Sequence, residues 1–350
     1  MTSSPFRLTD LSNGGGCGCK IAPAVLSEML SKLPTQMINP DLLVGNQSSD
    51  DAAVYKLNET QAIVATTDFF MPIVDDPYDF GRIAATNALS DIYAMGATPI
   101  MALALVGMPL DKLPIEMIQA ILAGGADVCA NAGIPIAGGH SIDSSEPIYG
   151  LVALGIISPD QIKRNDHAKA GDTIILGKSL GVGILGAALK KGELDDQGYQ
   201  QMIDTTTRLN SVGSKLATLP GVHAMTDITG FGLLGHLLEI CKGSDLSAKI
   251  YFDKLPILSK ALTLAELGYC TGASARNWAG YGNDITLPND MPEWQQNLLS
   301  DPQTSGGLMV SCHPKEQNTV QEIFLAAGFD DAAIIGSFSD ASVENRVTVN

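Results

Sequence analysis

The chain is poor in aromatic residues, in basic residues and in cysteine. Aromatic side chains make up 5% of its 350 residues, and 21 lysines and arginines stand against 38 aspartates and glutamates, for a net charge of -17 at pH 7. A nucleic-acid surface is normally basic, so this acidity argues against DNA or RNA as a partner. The 6 scattered cysteines are too few for a disulfide framework and indicate free thiols in a reducing compartment.

Long apolar runs are also missing. The longest, residues 99–110 (PIMALALVGMPL), is too short to cross a bilayer, and the first ten residues lack the charged start and apolar stretch of a secretory signal. We therefore predict no membrane association and a cytoplasmic location. With 45% hydrophobic residues, the chain can bury a sizeable core in one large or two medium domains.

Short apolar runs alternate with amphipathic segments along the whole chain, a pattern typical of α/β proteins. The pattern predicts strands at residues 52–57, 62–68, 99–108, 134–142, 146–157, 173–178, 221–229, 248–254, 306–312 and 332–338. It predicts helices at residues 21–33, 77–97, 113–133, 182–192, 200–219, 233–242 and 317–328. The polar, turn-rich residues 158–172 predict a boundary between two α/β halves.

Two glycine motifs resemble nucleotide-binding signatures. GFGLLG, residues 230–235, fits the G-x-G-x-x-G pattern, and Asp253 follows at a suitable distance, but the preceding strand ends in polar TDIT rather than in apolar residues. GDTIILGKS, residues 171–179, has one residue too many between its glycines for a phosphate-binding P-loop. Dinucleotide binding is thus only weakly indicated, and a glycine turn is favoured at the second motif.

Several aspartates occupy the ends of predicted strands or one predicted helix. They are Asp50, Asp51, Asp68, Asp91 and Asp227, with Asn87 one helical turn before Asp91. Each alone could be a cap or a turn residue. Several carboxylates at the ends of apolar strands favour a hard cation such as Mg²⁺, which protein carboxylates bind together with substrate phosphates.

Two further turns are ambiguous. AGGHS, residues 137–141, predicts a tight turn whose backbone donors and Ser141 can hold a phosphate or simply reverse the chain. TSGG, residues 304–307, leaves the same two interpretations open.

GGGCGCK, residues 14–20, places two cysteines among glycines. A zinc site needs four ligands and no second Cys or His pair lies nearby, while a disulfide between Cys17 and Cys19 would be strained. Lys20 is close enough to favour a thiolate, and the glycines would let the segment move. A reactive thiol on a lid is therefore favoured over a disordered head with incidental cysteines.

GGGCGCK resembles the N-terminal signature of the selenophosphate synthetase (selenide, water dikinase) family. The resemblance continues through LLVGN, DDAAVY, TTDFFMPIVDDPYDFGRIAATNALSDIYAMGATPIMA, AGGHSID, MTDITGFGLLGH and DPQTSGGL, from about residue 14 to 308. It implies a two-domain α/β fold like that of aminoimidazole ribonucleotide synthetase, with a glycine-rich mobile N-terminal segment, and a homodimer formed through N-terminal strands. It also implies synthesis of selenophosphate from ATP, selenide and water, with release of AMP and orthophosphate.

The resemblance also assigns roles to residues of this chain. Cys17, where some members have selenocysteine, and Lys20 are implied to be catalytic. The implied ATP contacts are Lys20, Ser48, Ser49, Asp50, Asp68, Asp91, Gly139, His140 and Ser141. The implied Mg²⁺ ligands are Asp51, Asp91 and Asp227, with Asn87 and Thr67 as weaker candidates of the same site.

The predicted domains are a flexible glycine-rich catalytic loop at 1–20, an N-terminal ATP-binding and dimerisation domain at 21–157 and a C-terminal α/β domain at 158–350. Two alternatives remain open at this stage. The first is another ATP-dependent enzyme of the same fold, against which the GGGCGCK segment argues. The second is a selenium or metal carrier that uses thiols without catalysis, against which the aspartates argue.

Overall fold

The computed structural model describes residues 7–12, 14–21, 25, 28–29, 39–45, 50–341 and 345–350. Within these ranges the chain forms two mixed sheets, each packed against helices. The elements of the first half are β1 (Leu42–Val44), β2 (Ala53–Lys56), β3 (Ala62–Phe70), α1 (Pro77–Ala94), β4 (Thr98–Met108), α2 (Ile115–Asn131), β5 (Ile136–Asp143) and β6 (Ile148–Ile157). The first sheet has the strand order β1-β2-β3-β6-β4-β5, so β5 lies at an edge.

The second half contains seven strands and eight α-helices among the described residues. They are β7 (Thr173–Leu176), α3 (Val182–Lys190), α4 (Asp196–Thr206), α5 (Val212–Leu216), β8 (Val222–Asp227), α6 (Gly232–Gly243), β9 (Leu246–Ile250), α7 (Ser259–Glu266), α8 (Gly272–Tyr281), β10 (Ile285–Thr286), α9 (Glu293–Leu299), β11 (Leu308–Cys312), α10 (Gln317–Ala326), β12 (Ala333–Asp340) and β13 (Val347–Val349). The strand order of the second sheet is β10-β13-β9-β12-β7-β11-β8.

Helix α1 is the element of the first half that carries most of the site. It begins at Pro77, and the N-cap Asp76 accepts a hydrogen bond from the backbone N–H of Asp79. It stops before Gly96, which adopts a φ of +83° that favours glycine. A Cβ atom at Gly81 would lie only 1.9 Å from the carbonyl oxygen of Ile121. The glycine thus allows α1 and α2 to pack closely and fixes the position of α1 against the sheet.

The described structure confirms most of the predicted elements and corrects four of them. Residues 200–219 form two helices, α4 and α5, rather than one. Residues 137–141 lie within edge strand β5 and not in a tight turn. Strand β3 continues past Asp68 to Phe70, so Asp68 lies within the strand and not at its end. Strand β9 ends at Ile250, earlier than predicted.

Some predictions are not settled by these elements. The helix predicted at residues 21–33 lies largely outside the described residues. The domain boundaries and the cytoplasmic location stay predictions. No helix in the described part of the chain combines the length and the apolar character needed to cross a membrane.

The position of β8 argues against dinucleotide binding at residues 230–235. A dinucleotide site of this type needs two parallel strands joined by the helix that opens at the glycines. Here β8 is an edge strand that pairs antiparallel with β11, and the next strand of the chain, β9, lies four strands away. The G-x-G-x-x-G match is therefore a chance fit to the motif.

Candidate active site

Three aspartates converge where the two halves meet. Asp51 precedes β2, Asp91 lies on α1, and Asp227 ends β8 in the second half. One carboxylate oxygen from each lies within 4.8 Å of the others, and the three form a group able to hold a metal ion. These are the three aspartates that the resemblance implies as Mg²⁺ ligands, and their role as ligands remains a proposal.

Positive charge balances the carboxylate cluster only in part, since the effect of Lys20 on the pKa of Asp91 and of Asp227 is smaller than that of burial. The Oδ2 atoms of Asp51 and Asp227 are buried, and neither has a hydrogen-bond partner in the described part of the chain. Burial, together with the charge of Asp227, raises the pKa of Asp51 and of Asp91 well above the ordinary value, and burial also raises the pKa of Asp227. Buried carboxylates without partners are costly, so this cluster is chemically suited to a divalent cation.

Two threonines that were not predicted from the sequence hold two of these carboxylates in place. Thr66 Oγ1 donates to Asp91 Oδ2 at 2.5 Å, and Thr226 Oγ1 donates to Asp51 Oδ1 at 2.8 Å. Thr67, the weaker candidate, is exposed on the opposite face of β3 from buried Asp68. Because side chains alternate along a strand, the inward position of Asp68 could have indicated Thr66 instead.

Asn87 links the carboxylate region to Cys17. It is fully buried on α1 and donates from Nδ2 to Asp68 Oδ2 at 2.6 Å. Its Oδ1 accepts a hydrogen bond from the Cys17 thiol at 3.2 Å and another from the Ser305 N–H at 2.7 Å. Lys20 Nζ lies 3.4 Å from Asp68 Oδ2. Asn87 therefore joins Cys17 to Asp68, which in turn pairs with Lys20.

Cys17 is more deeply buried than Cys19. Cys17 is 1% exposed, whereas Cys19 is partly exposed and its thiol donates to the carbonyl oxygen of Gly16 at 2.9 Å. Burial raises the pKa of the Cys17 thiol and outweighs the opposing influence of Lys20. In this conformation Cys17 is thus a protonated thiol rather than a thiolate. Both cysteines are free thiols, as the sequence predicts.

Close packing explains the glycines around Cys17. A Cβ atom at Gly15 would lie 2.2 Å from the carbonyl oxygen of Pro72, and one at Gly16 would lie 2.3 Å from Thr304 Oγ1. Gly16 also has a φ of +55°. A Cβ atom at Gly230 would lie 2.8 Å from the carbonyl oxygen of Cys17. Some of the glycines in GGGCGCK and GFGLLG are therefore required because residues 14–20 pack closely against the rest of the protein.

The remaining candidate residues are not all brought to the cluster. Asp50 Oδ1 accepts a hydrogen bond from the backbone N–H of Asn165 at 2.7 Å. The segment Gly139–Ser141 is exposed on β5, three strands from β3 in the first sheet. At strand spacing this is a separation of about 14 Å. Ser48 and Ser49 lie outside the described residues.

Comparison with known proteins identifies the class of the fold. The models of the N-terminal and C-terminal domains of AIR synthase related proteins match residues 49–157 and 169–347. Thiamine-monophosphate kinase from Stenotrophomonas maltophilia K279a is similar in structure, with a TM-score of 0.64 at 20% identity over 93% of this chain and 94% of that one. Hydrogenase maturation protein HypE in complex with ATP has a TM-score of 0.64 at 18% identity over 98% of this chain and 94% of that one. The chain is thus an AIR synthase-related protein with two domains.

Closer relatives identify the family within this class. A selenide, water dikinase from Burkholderia cenocepacia is 63% identical over 334 residues, which cover 95% of this chain and 94% of the relative. One from Pseudomonas straminea is 65% identical over 332 residues, which cover 94% of this chain and 93% of the relative. The chain belongs to the selenide, water dikinase family, and the resemblance read from the sequence is confirmed.

Proposed function

We propose that this protein synthesises selenophosphate from ATP, selenide and water and releases AMP and orthophosphate. The observation that carries the proposal is the meeting of Asp51, Asp91 and Asp227 from both halves of the chain. Membership of the selenide, water dikinase family at 63% identity supports the same reaction. A triphosphate carries several negative charges, so a nucleotide can approach these carboxylates only through cations.

Mg²⁺ is the cation that we propose, held by Asp51, Asp91 and Asp227. When bound, it would neutralise the phosphate oxygens and orient them for displacement. Thr66 and Thr226 orient two of the carboxylates, so these side chains are already ordered before the ligand binds. The ion pair with Asp68 keeps the Lys20 ammonium beside this cluster, where it can contact the phosphates of ATP and the charge of a leaving group.

Cys17 is the residue that we propose to act on selenium. A sulfur atom is soft and polarizable, and as a thiolate it can bind or deliver selenium, which a hydroxyl at neutral pH cannot. In this conformation the Cys17 proton is directed to Asn87 Oδ1. Burial of this thiol among Asn87, Thr304 and Gly230 also keeps bulk water away from its sulfur atom.

The other proposed ATP contacts are Lys20, Ser48, Ser49, Asp50, Asp68, Asp91, Gly139, His140 and Ser141. The last three lie on an exposed edge strand away from the carboxylates, and the first sheet presents exposed Tyr55 and Phe69. A homodimer would account for both features, since it would cover these apolar side chains and would give β5 a neighbouring chain. We therefore propose ATP and selenide as ligands and a second copy of the chain as the partner.

The test is to incubate the purified protein with ATP, Mg²⁺ and selenide and to measure AMP and selenophosphate. We expect AMP and selenophosphate to form together and only when selenide is present. ATP turnover that ignores selenide would instead indicate another ATP-dependent enzyme of this fold. Selenide binding without AMP formation would indicate a carrier.

A further inference from the structure

The turn at residues 303–307 (QTSGG), called here the Thr304 turn, is held in place by buried side chains from several elements. Ser305 has a φ of +52°, which is uncommon for a residue other than glycine. Lys178 Nζ donates to the carbonyl oxygen of Ser305 at 2.9 Å, and Asn210 Nδ2 donates to that of Gly306 at 2.8 Å. The Ser305 N–H donates to Asn87 Oδ1 at 2.7 Å. A strained turn that is fixed in this way by its surroundings is a reason to look for a function.

The turn is also fixed at its start. Gln303 Oε1 accepts hydrogen bonds from the backbone N–H groups of Gly181 and Val182 at the beginning of α3, at 3.0 and 3.1 Å. The neighbouring Asp301 accepts from the next two N–H groups of the same helix. The Thr304 turn therefore belongs to the rigid framework of the second half.

The Thr304 turn contacts residues 14–20 (GGGCGCK), called here the Cys17 segment. Thr304 Oγ1 accepts a hydrogen bond from the Cys17 backbone N–H at 3.0 Å, in a buried setting. Gly16 packs so closely on the same hydroxyl that a Cβ atom there would lie 2.3 Å away. Asn87 Oδ1 accepts from both the Cys17 thiol and the Ser305 N–H, so one atom of α1 connects the segment to the turn.

We propose that the Thr304 turn is a seat for the Cys17 segment, in which the Thr304 hydroxyl and Asn87 Oδ1 are the positioning groups. Thr304 accepts a hydrogen bond from the backbone of Cys17, and Asn87 accepts one from its thiol. Together they fix both the location and the direction of the thiol. The turn belongs to the second half and Asn87 to the first. The thiol therefore keeps this position only while the two halves keep their relative position. The consequence for catalysis rests on the proposed function, but the seating itself does not.

The seating is tested by alkylation of Cys17 with iodoacetamide in the enzyme without nucleotide. Trypsin releases Cys17 and Cys19 on one peptide, so a Cys19→Ser background makes the readout specific. Thr304→Val removes the acceptor at nearly constant shape, and we expect the rate of Cys17 alkylation to rise about three- to tenfold, as for the loss of one buried hydrogen bond. Thr304→Ser keeps the hydroxyl and should restore a rate close to that of the parent.

Two further variants keep the test decisive. Thr229→Val is the matched control, because Thr229 is an equally buried threonine whose hydroxyl contacts His236 instead, and it should leave the alkylation rate unchanged. Gly16→Ala disturbs the seat from the other side without a substitution in the turn itself, and it should raise the rate as Thr304→Val does. The two changes combined should be less than additive, because they break one contact. Unchanged alkylation in both Thr304→Val and Gly16→Ala would overturn the proposal.

Kinetics then distinguish positioning from a direct role. We expect Thr304→Val to lower the kcat of selenide-dependent AMP formation while equilibrium ATP binding stays at the parental value, with recovery in Thr304→Ser. Loss of AMP formation with unchanged alkylation would make Thr304 a substrate contact and contradict the seat. A parent enzyme that forms no AMP at all would refute the proposed function, and the alkylation series would still decide on the seat.

Discussion

At the level of single residues, Cys17 and Cys19 differ in what their sulfur atoms contact. Cys17 faces Asn87 near Lys20 and Asp68, whereas the Cys19 sulfur contacts backbone groups, those of Gly16 and Met71. We expect Cys17→Ser to reduce selenide-dependent AMP formation to background and Cys19→Ser to retain a substantial part. AMP release and equilibrium ATP binding, measured side by side, check this, and both variants should still bind ATP. A Cys17→Ser enzyme that remains active would refute the assignment.

The carboxylates allow a prediction that does not depend on turnover alone. Without a cation, the three acids repel each other and are costly to bury, so Asp227→Asn should be at least as stable as the parent in the absence of Mg²⁺. With Mg²⁺, the parent should gain thermal stability and the variant should gain less. Metal-dependent AMP formation should fall by about a hundredfold. Equal Mg²⁺-induced stabilisation of the two proteins would show that Asp227 is not a ligand.

At the level of elements, the sequence predicts the end of β8 at Asp227 correctly, whereas β3 continues past Asp68 to Phe70. The sequence does not predict that these aspartates come together. Their convergence depends on pairings such as that of Leu308 with Asp227, between strands far apart in the sequence. Cys17 contacts Thr304, which is separated from it by 287 positions, so the glycines next to Cys17 in the sequence could not indicate its burial. Predictions also missed the short helices α7, α8 and α9.

Strand β7 ends next to Lys178, whose burial lowers its pKa to about 7 even though Asp227 opposes the shift. An unfolded lysine titrates near pH 10.5, so between about pH 7 and 10 the unfolded chain holds a proton that the folded chain lacks. The contribution of Lys178 to the free energy of unfolding therefore rises with pH in this window and is lost as the pH falls towards 7.

The comparison that measures this effect is wild type against Lys178→Met. The difference in unfolding free energy should shift in favour of wild type by up to about 1.4 kcal/mol per pH unit between pH 7 and 9. Urea titrations at several pH values give the pH dependence of this difference in unfolding free energy. Effects of the substitution that do not depend on pH do not change the slope. A flat difference across this range would mean that Lys178 stays charged in the folded protein.

At the level of the whole molecule, the first sheet has two unlike faces. Val54, Val64 and Phe70 are buried, whereas Tyr55 is 38% exposed and Phe69 is 50% exposed on the alternating positions. Exposed apolar side chains that share one face of a sheet are typical of an interface, which agrees with the proposed homodimer. The charge of this chain, -17, would oppose association, so the apolar contact has to outweigh it.

Phe69→Asp should therefore weaken self-association by at least about tenfold, because it places a carboxylate in an apolar contact. Leu267→Asp is the matched control, since Leu267 is 71% exposed and lies in the second half, on α7's C-terminal cap. Sedimentation equilibrium over a range of protein concentrations measures the dissociation constants. If wild type and both variants have the same mass at all concentrations, the face of the first sheet that carries Phe69 is not an interface. If only Phe69→Asp dissociates, the dimer forms through this face, and Gly139–Ser141 on the same sheet can then be tested as contacts made across it.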